Sequence, residues 1–239
     1  MNKCLICFQD IHEGTSIFDY FITQDFLCGT CRSKMQTYEG RLMFQGYPMR
    51  ALYLYDEFME SLLFQYKEGR DIALAPCFLF PYRKEIEKTY KEYTILYMPS
   101  SKQKNEERGF FALAESFKAI NLEKADCFYK KRDFKQSSQK MDRAKIQEVI
   151  DIHPDKVPRK PLLLVDDVCT SGNTLLAALG LLEGHPYPIE ILVMAVHPLF
   201  LKDHEVDLKR NDDFFKIPSL LFKKHKGTMV KVDRKESRK

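Results

Sequence analysis

The stretch LLLVDDVCTSGNTL, residues 162–175, sets two adjacent acids at the end of an apolar run and follows them with a small polar loop. Adjacent carboxylates repel each other, so their placement needs a chemical reason. Asp166 and Asp167 can accept hydrogen bonds from a vicinal diol. The following residues, Val168, Cys169, Thr170, Ser171, Gly172, Asn173 and Thr174, are small or polar. They let successive backbone N–H groups point inward at the start of a helix, and Thr170, Ser171 and Thr174 add hydroxyls. A nest for phosphate beside acids for sugar hydroxyls describes a ribose 5-phosphate. Competing readings fare worse. A nucleotide-binding P-loop needs Gly-Lys, and no glycine here is followed by lysine; no G-x-G occurs either. A capped turn that only satisfies local donors does not account for the acid pair.

A second constellation lies at the N-terminus. Cys4-Leu-Ile-Cys7 and Cys28-Gly-Thr-Cys31 are two C-x2-C knuckles, the spacing of a four-thiolate Zn2+ site. The intervening segment, with Ile17, Phe18, Tyr20, Phe21 and Ile22, is too small for a core of its own, so the metal is expected to supply folding energy. With four protein ligands no position stays open for a catalytic water, and the zinc is expected to be structural. Cys77, Cys127 and Cys169 are singletons, and His197 and His204 show no ligand spacing. These five read as ordinary packed or surface residues, with Cys169 a spacer in the phosphate loop.

These sites need a scaffold. The 239 residues are 44% hydrophobic, enough for one sizeable core with a small appendage. No apolar run approaches the roughly 18 residues of a membrane span, and Met-Asn-Lys-Cys lacks a secretory pattern. The expectation is a cytoplasmic protein without membrane insertion. After a polar connector at 33–49, β and α signals alternate. Strands are expected at 51–55, 93–99, 161–168 and 189–196. Helices are expected at 57–66, across 71–90 with breaks at Pro76 and Pro81, at 110–120, and from near Thr174 to Gly184. Apolar strands alternating with helices predict an α/β fold with a parallel sheet covered on both faces. In such a sheet ligands bind at the carboxyl ends of strands, where Asp166 and Asp167 are expected as Leu162–Val165 runs out. The net charge of +4 is uneven: residues 222–239 carry eight Lys/Arg against two acids, leaving about −2 elsewhere.

The motif at 162–175 resembles the phosphoribosyl pyrophosphate motif of type I phosphoribosyltransferases. Together with the cysteine knuckles, QYKEGRD at 65–71 and MPSSKQKNEERGF at 98–110, the chain resembles the ComF family of competence-associated, phosphoribosyltransferase-like proteins over roughly residues 1–197. The resemblance implies a type I phosphoribosyltransferase-like, doubly wound, mostly parallel sheet with a small N-terminal zinc ribbon. It implies a Cys4 ribbon at 1–36, a phosphoribosyltransferase-like domain at 50–198 and a C-terminal extension with a basic tail at 199–239. It gives Asp166 and Asp167 the ribose hydroxyls, residues 170–174 the 5-phosphate, and Ser100 and Ser101 a pyrophosphate loop. Lys67 and Arg108 become candidates for the pyrophosphate, with Mg2+ accompanying the ligand. Arg108-Gly109 falls where a mobile loop would close.

Departures fall on the acceptor side. Phe111-Ala112 stands where the family has Asn-Gln, and Ile146 replaces an Asn downstream of Gln136 and Arg143. Two readings stay open. One is an Mg2+-dependent phosphoribosyltransferase with an unassigned acceptor and a role in DNA uptake during transformation. The other is a non-catalytic phosphoribosyl pyrophosphate-binding regulator or scaffold that partners competence DNA-processing factors, a helicase among them. The basic tail offers phosphate contacts to single-stranded DNA, with only Phe222 for stacking.

Overall fold

The computed structural model describes residues 3–11, 25–38, 40, 42–131 and 150–204. The expectations on Gln136, Arg143, Ile146, the segment 12–24 and the basic tail lie outside them. A short helix, α1 (Gly29–Lys34), follows the second cysteine knuckle. The sheet begins with a hairpin of β1 (Leu42–Phe44) and β2 (Tyr47–Leu54). Its two-residue turn places Gln45 and Gly46 both at positive φ, as a twist-matched hairpin requires. A polar connector was expected here. The alternation of buried Leu42, exposed Met43 and buried Phe44 is the strand signal, and it is only three residues long.

Helix α2 (Glu57–Lys67) is capped by Asp56, whose carboxylate accepts the Met59 N–H at 2.9 Å. It buries Met59, Leu62, Leu63 and Tyr66, the i, i+3, i+4, i+7 stripe. From 72 to 89 the chain alternates 3-10 turns with α3 (Ala75–Leu79) and α4 (Arg83–Thr89), and Pro76 and Pro81 each sit in a first turn. Strand β3 (Thr94–Tyr97) is wholly buried. Helix α5 (Lys102–Arg108) occupies what the sequence presents as a loop, with Ser101 capping its start and Gly109, at φ 84°, ending it. Helix α6 (Ala112–Ser116) is shorter than the apolar pattern suggests: the chain turns after Ser116 to bury Phe117 and Ile120 on its way to β4 (Glu123–Ala125).

A separate antiparallel pair follows, β5 (Phe128–Lys130) with β6 (Ile150–Ile152). The chain then returns through β7 (Leu162–Cys169), α7 (Asn173–Leu181), β8 (Ile189–Val196) and α8 (Pro198–His204). The main sheet has the order β1-β2-β8-β7-β3-β4, parallel apart from β1. Leu162–Val165 and Ile191–Val196 have no exposed surface, the signature of strands covered on both faces. The α/β class with a mostly parallel sheet is as expected.

Connectivity places the site. From β7 the chain steps through α7 to β8 on one side; from β3 it steps through α5 and α6 to β4 on the other. Right-handed crossovers put those helices on opposite faces, so the loops after β7 and β3 leave in opposite directions. The crevice at their carboxyl ends is the topological switch point.

Candidate functional site

Strand β7 does not run out at Val165. It pairs with β8 through Asp166↔Val193, Val168↔Ala195 and Cys169↔Val196, so the acids lie within the second half of the strand rather than beyond it. The ladder therefore fixes their backbone. Asp166 is partly buried, and its carboxyl is crowded by neighbouring protein groups. That burial, followed by the charge of Asp167, pushes it up to about 7, against the opposing pull of the Asp167 N–H, Lys67 and Lys130. The Asp167 N–H donates to Asp166 Oδ1 at 2.9 Å. The Asp167 carboxylate forms an ion pair with Lys67, the last residue of α2.

The loop after β7 is Thr170-Ser171-Gly172, with Thr170 and Ser171 exposed. Gly172 caps α7 at φ 71°, a left-handed conformation that glycine adopts without strain. A Cβ there would lie 2.7 Å from Phe44 Cζ and 3.0 Å from Phe200 Cε2. The loop is thus seated on two aromatic rings whose centroids are 5.6 Å apart. The first N–H groups of α7 have no intrahelical partner by geometry, and Asn173 and Thr174 belong to that turn. The Cys169 thiol is buried and pushed up to about 12 by burial and then by Asp166, so it stays neutral.

Across the crevice, the Met98 N–H donates to Val165 O at 2.9 Å and holds the β3 loop against β7. Ser100 Oγ donates to Asn105 Oδ1 at 2.9 Å, and Ser101 accepts the Lys104 N–H as the α5 cap. Lys67, Asp167, Asp166 and the phosphate loop are therefore brought together, with Ser100 and Ser101 on the facing β3 loop. Arg108 is placed differently. Its side chain keeps 7% exposure, and it donates from Nε to Lys67 O at 2.9 Å and from Nη2 to Glu68 Oε1 at 3.1 Å.

Three residues near the acids carried no sequence signal. Tyr55 directly follows β2, and His197 directly follows β8; their rings are 6.1 Å apart. Burial, then Glu60 and Asp167, push the Tyr55 phenol up. Lys130 on β5 acts electrostatically on Asp166. The rule that the residue after each parallel strand lines the carboxyl edge would have singled out Tyr55 and His197 once strand ends were known.

The four N-terminal cysteines converge. Their sulfurs all lie within 4.8 Å of one another, with Cys7 and Cys28 at 3.6 Å. A tetrahedral Zn2+ with bonds of about 2.3 Å needs sulfurs about 3.8 Å apart, so the donor set fits that ion. The Cys31 N–H points to Cys28 Sγ at 3.5 Å, and the Leu5 N–H donates to Phe26 O at 3.0 Å, joining the knuckles. Arg32, next to Cys31, donates to both Asp25 oxygens at 2.8 and 2.6 Å and to Cys77 O at 2.7 Å.

No family model matches the chain. Competence protein ComFC of Streptococcus pneumoniae is 29% identical over 139 residues, covering 58% of this chain and 63% of that protein, under two thirds of its length. Competence protein ComFC of Bacillus subtilis is 24% identical over 212 residues, covering 75% of this chain and 88% of the relative. The resemblance to ComF proteins read from the sequence is therefore found in curated relatives. Among solved structures, adenine phosphoribosyltransferase of Saccharomyces cerevisiae matches 56% of this chain and 74% of its own, at 16% identity and a TM-score of 0.38. The Trypanosoma brucei adenine phosphoribosyltransferase matches 64% and 74%, at 15% identity and a TM-score of 0.32. Among the described residues no helix is long and apolar enough to cross a membrane.

Proposed function

We propose that the crevice binds 5-phosphoribosyl 1-pyrophosphate with Mg2+, and that the protein is a phosphoribosyltransferase-like component of DNA uptake in natural transformation. One observation carries the first part: an acid pair and a glycine-turned loop at a helix start share the switch-point crevice of a parallel sheet. Asp166 and Asp167 take the ribose hydroxyls. Residues 168–174 wrap the 5-phosphate with backbone N–H groups and the hydroxyls of Thr170, Ser171 and Thr174. Ser100 and Ser101 face the pyrophosphate, and Lys67 supplies a cation. Mg2+ comes with the ligand, whose oxygens it neutralises. The competence role and a cytoplasmic setting rest on the names of the relatives and on the thiol cluster. The eight cations of residues 222–239 are the proposed contacts to single-stranded DNA phosphates, and a competence helicase or another DNA-uptake protein is the proposed partner.

If transfer occurs, the bond from C1 of the ribose to the pyrophosphate oxygen breaks. An acceptor lone pair forms the new bond at C1, and the acceptor releases its proton. The acid pair then favours the positive charge that develops on the sugar. Binding without turnover is the second reading. Phe111, standing where the family has a polar residue, packs edge-on against Tyr97 at 5.6 Å, and Ala112 is buried. Neither side chain carries a hydrogen-bonding group with which to read an acceptor. Calorimetric titration with phosphoribosyl pyrophosphate and Mg2+ tests the site: wild-type protein binds, and a folded Asp166→Ala/Asp167→Ala variant does not. Equal binding by both removes the assignment. Pyrophosphate release that depends on an added acceptor separates the enzyme from the binding protein.

A further inference from the structure

We infer that Arg108 is a positioning residue that acts through Lys67, and that the Lys67–Asp167 ion pair makes the crevice select a pyrophosphorylated sugar over a bare sugar phosphate. This deepens the proposed function and rests on it. Lys67 ends α2, and its carbonyl is one of the last four of that helix, which have no intrahelical acceptor role. Arg108 supplies the missing donor at 2.9 Å and also grips Glu68, the next residue, at 3.1 Å. Its guanidinium is nearly enclosed by these contacts, so it fastens the α2 terminus. The backbone it holds is that of the residue whose ammonium pairs with Asp167.

The ion pair sets a condition on the ligand. Both of its partners are only about one fifth exposed, so neither charge is left without a partner at no cost. Ribose hydroxyls that take the Asp167 carboxylate displace the Lys67 ammonium. A ligand carrying pyrophosphate at C1 offers a new anion on the sugar's other end, and the ammonium exchanges one partner for another. Ribose 5-phosphate brings its single phosphate to the loop at Thr170–Thr174 and leaves the ammonium unpaired. Discrimination thus comes from an exchange of ion pairs, and its precision depends on where Arg108 holds the α2 end. A lysine at position 108 can cap the same carbonyl with one donor but cannot grip Glu68 in the same fork.

The test is a double-mutant cycle read by calorimetry, titrating phosphoribosyl pyrophosphate with Mg2+ and, separately, ribose 5-phosphate. The proteins are wild type, Lys67→Met, Arg108→Met, Arg108→Lys and Lys67→Met/Arg108→Met, each with its Tm recorded. Each single Met variant should weaken phosphoribosyl pyrophosphate binding by about tenfold or more, the scale of one charge-assisted contact. The double variant should match Lys67→Met within about twofold, because both changes act through one contact. Arg108→Lys should recover part of the loss, and ribose 5-phosphate affinity should hold or rise in the folded Lys67→Met variants, because the ammonium that this ligand would strand is gone. Losses that multiply in the double variant would show Arg108 touching the ligand itself and overturn the inference, as would an Arg108→Met protein that binds normally. An equal loss of both ligands would make the role a general support of the crevice and also overturn it. Wild-type protein that binds neither ligand overturns the proposed function, and this inference with it.

Discussion

At the scale of single residues, the acid pair is asymmetric although its members are adjacent. Asp167 has a cationic partner in Lys67, whereas burial and the neighbouring charge hold the Asp166 carboxyl up to about 7. An unfolded aspartate loses its proton near pH 4, so between about pH 4 and 7 the folded state binds more protons than the unfolded one. Stability from this group is full below pH 4, falls as the pH rises through that window, and is lost above 7. Asp166→Asn removes the penalty while its side-chain oxygen can still accept the Asp167 N–H. It should therefore raise the Tm more at pH 8 than at pH 5, by an increment on the order of 2 kcal/mol at pH 8, and weaken ligand binding. Thermal melts at the two pH values check this; a gain that is the same at both would place the Asp166 carboxyl in ordinary solvent.

At the scale of elements, the phosphate loop depends on parts far from it in sequence. Its glycine turn fits because β1 contributes Phe44 and α8 contributes Phe200 as a floor. Gly172→Ala combines left-handed strain with a Cβ inside van der Waals distance of both rings. Gly109→Ala, at φ 84°, has the strain alone, since nothing lies within 4 Å of its Cβ. The expected cost is about 1 kcal/mol for Gly109→Ala and about 2–3 kcal/mol for Gly172→Ala, with ligand binding lost in the latter. Chemical denaturation of the two variants decides the ranking, and equal costs would mean that Phe44 and Phe200 move aside freely.

At the scale of the whole molecule, the cysteine cluster is built into the core. Leu27, Cys28, Cys31 and Met35 belong to the same contiguous buried cluster as the sheet, and Arg32 ties α1 to the Cys77 carbonyl on α3. Phe78, the next residue of α3, accepts the Tyr53 hydroxyl at 2.9 Å and packs on Tyr66 of α2 at 5.3 Å. Metal binding at the knuckles should therefore stabilise more than the ribbon. One Zn2+ per chain is expected by elemental analysis, and Cys4→Ser/Cys7→Ser should lose it. Chelation should lower the Tm of the main unfolding transition by several degrees, on the scale of 2–4 °C per kcal/mol for a domain this size. An unchanged main transition in zinc-free protein would show that the knuckles fold as an independent appendage.

What could be read directly from the chain was local. Runs such as LLLV and ILVMAV announce doubly covered strands because burial on both faces forbids polar interruption, and C-x2-C pairs announce a metal because ligand spacing is set by the turn that holds it. The phosphate loop is contiguous, so its composition states its chemistry. Short elements escaped: β1 and β4 are three residues each, too short for periodicity to separate from loop, and α5, KQKNEER, has no apolar residue to form a stripe. Register and long-range contact belonged to the tertiary structure alone. That β7 continues through Asp166 and Asp167 depends on pairing with β8, and the meeting of Lys67 with Asp167 joins residues 100 positions apart. Arg108, which looks like a free cation beside a mobile glycine, is instead enclosed against the end of α2, because a helix terminus with unmet carbonyls lies where its side chain reaches.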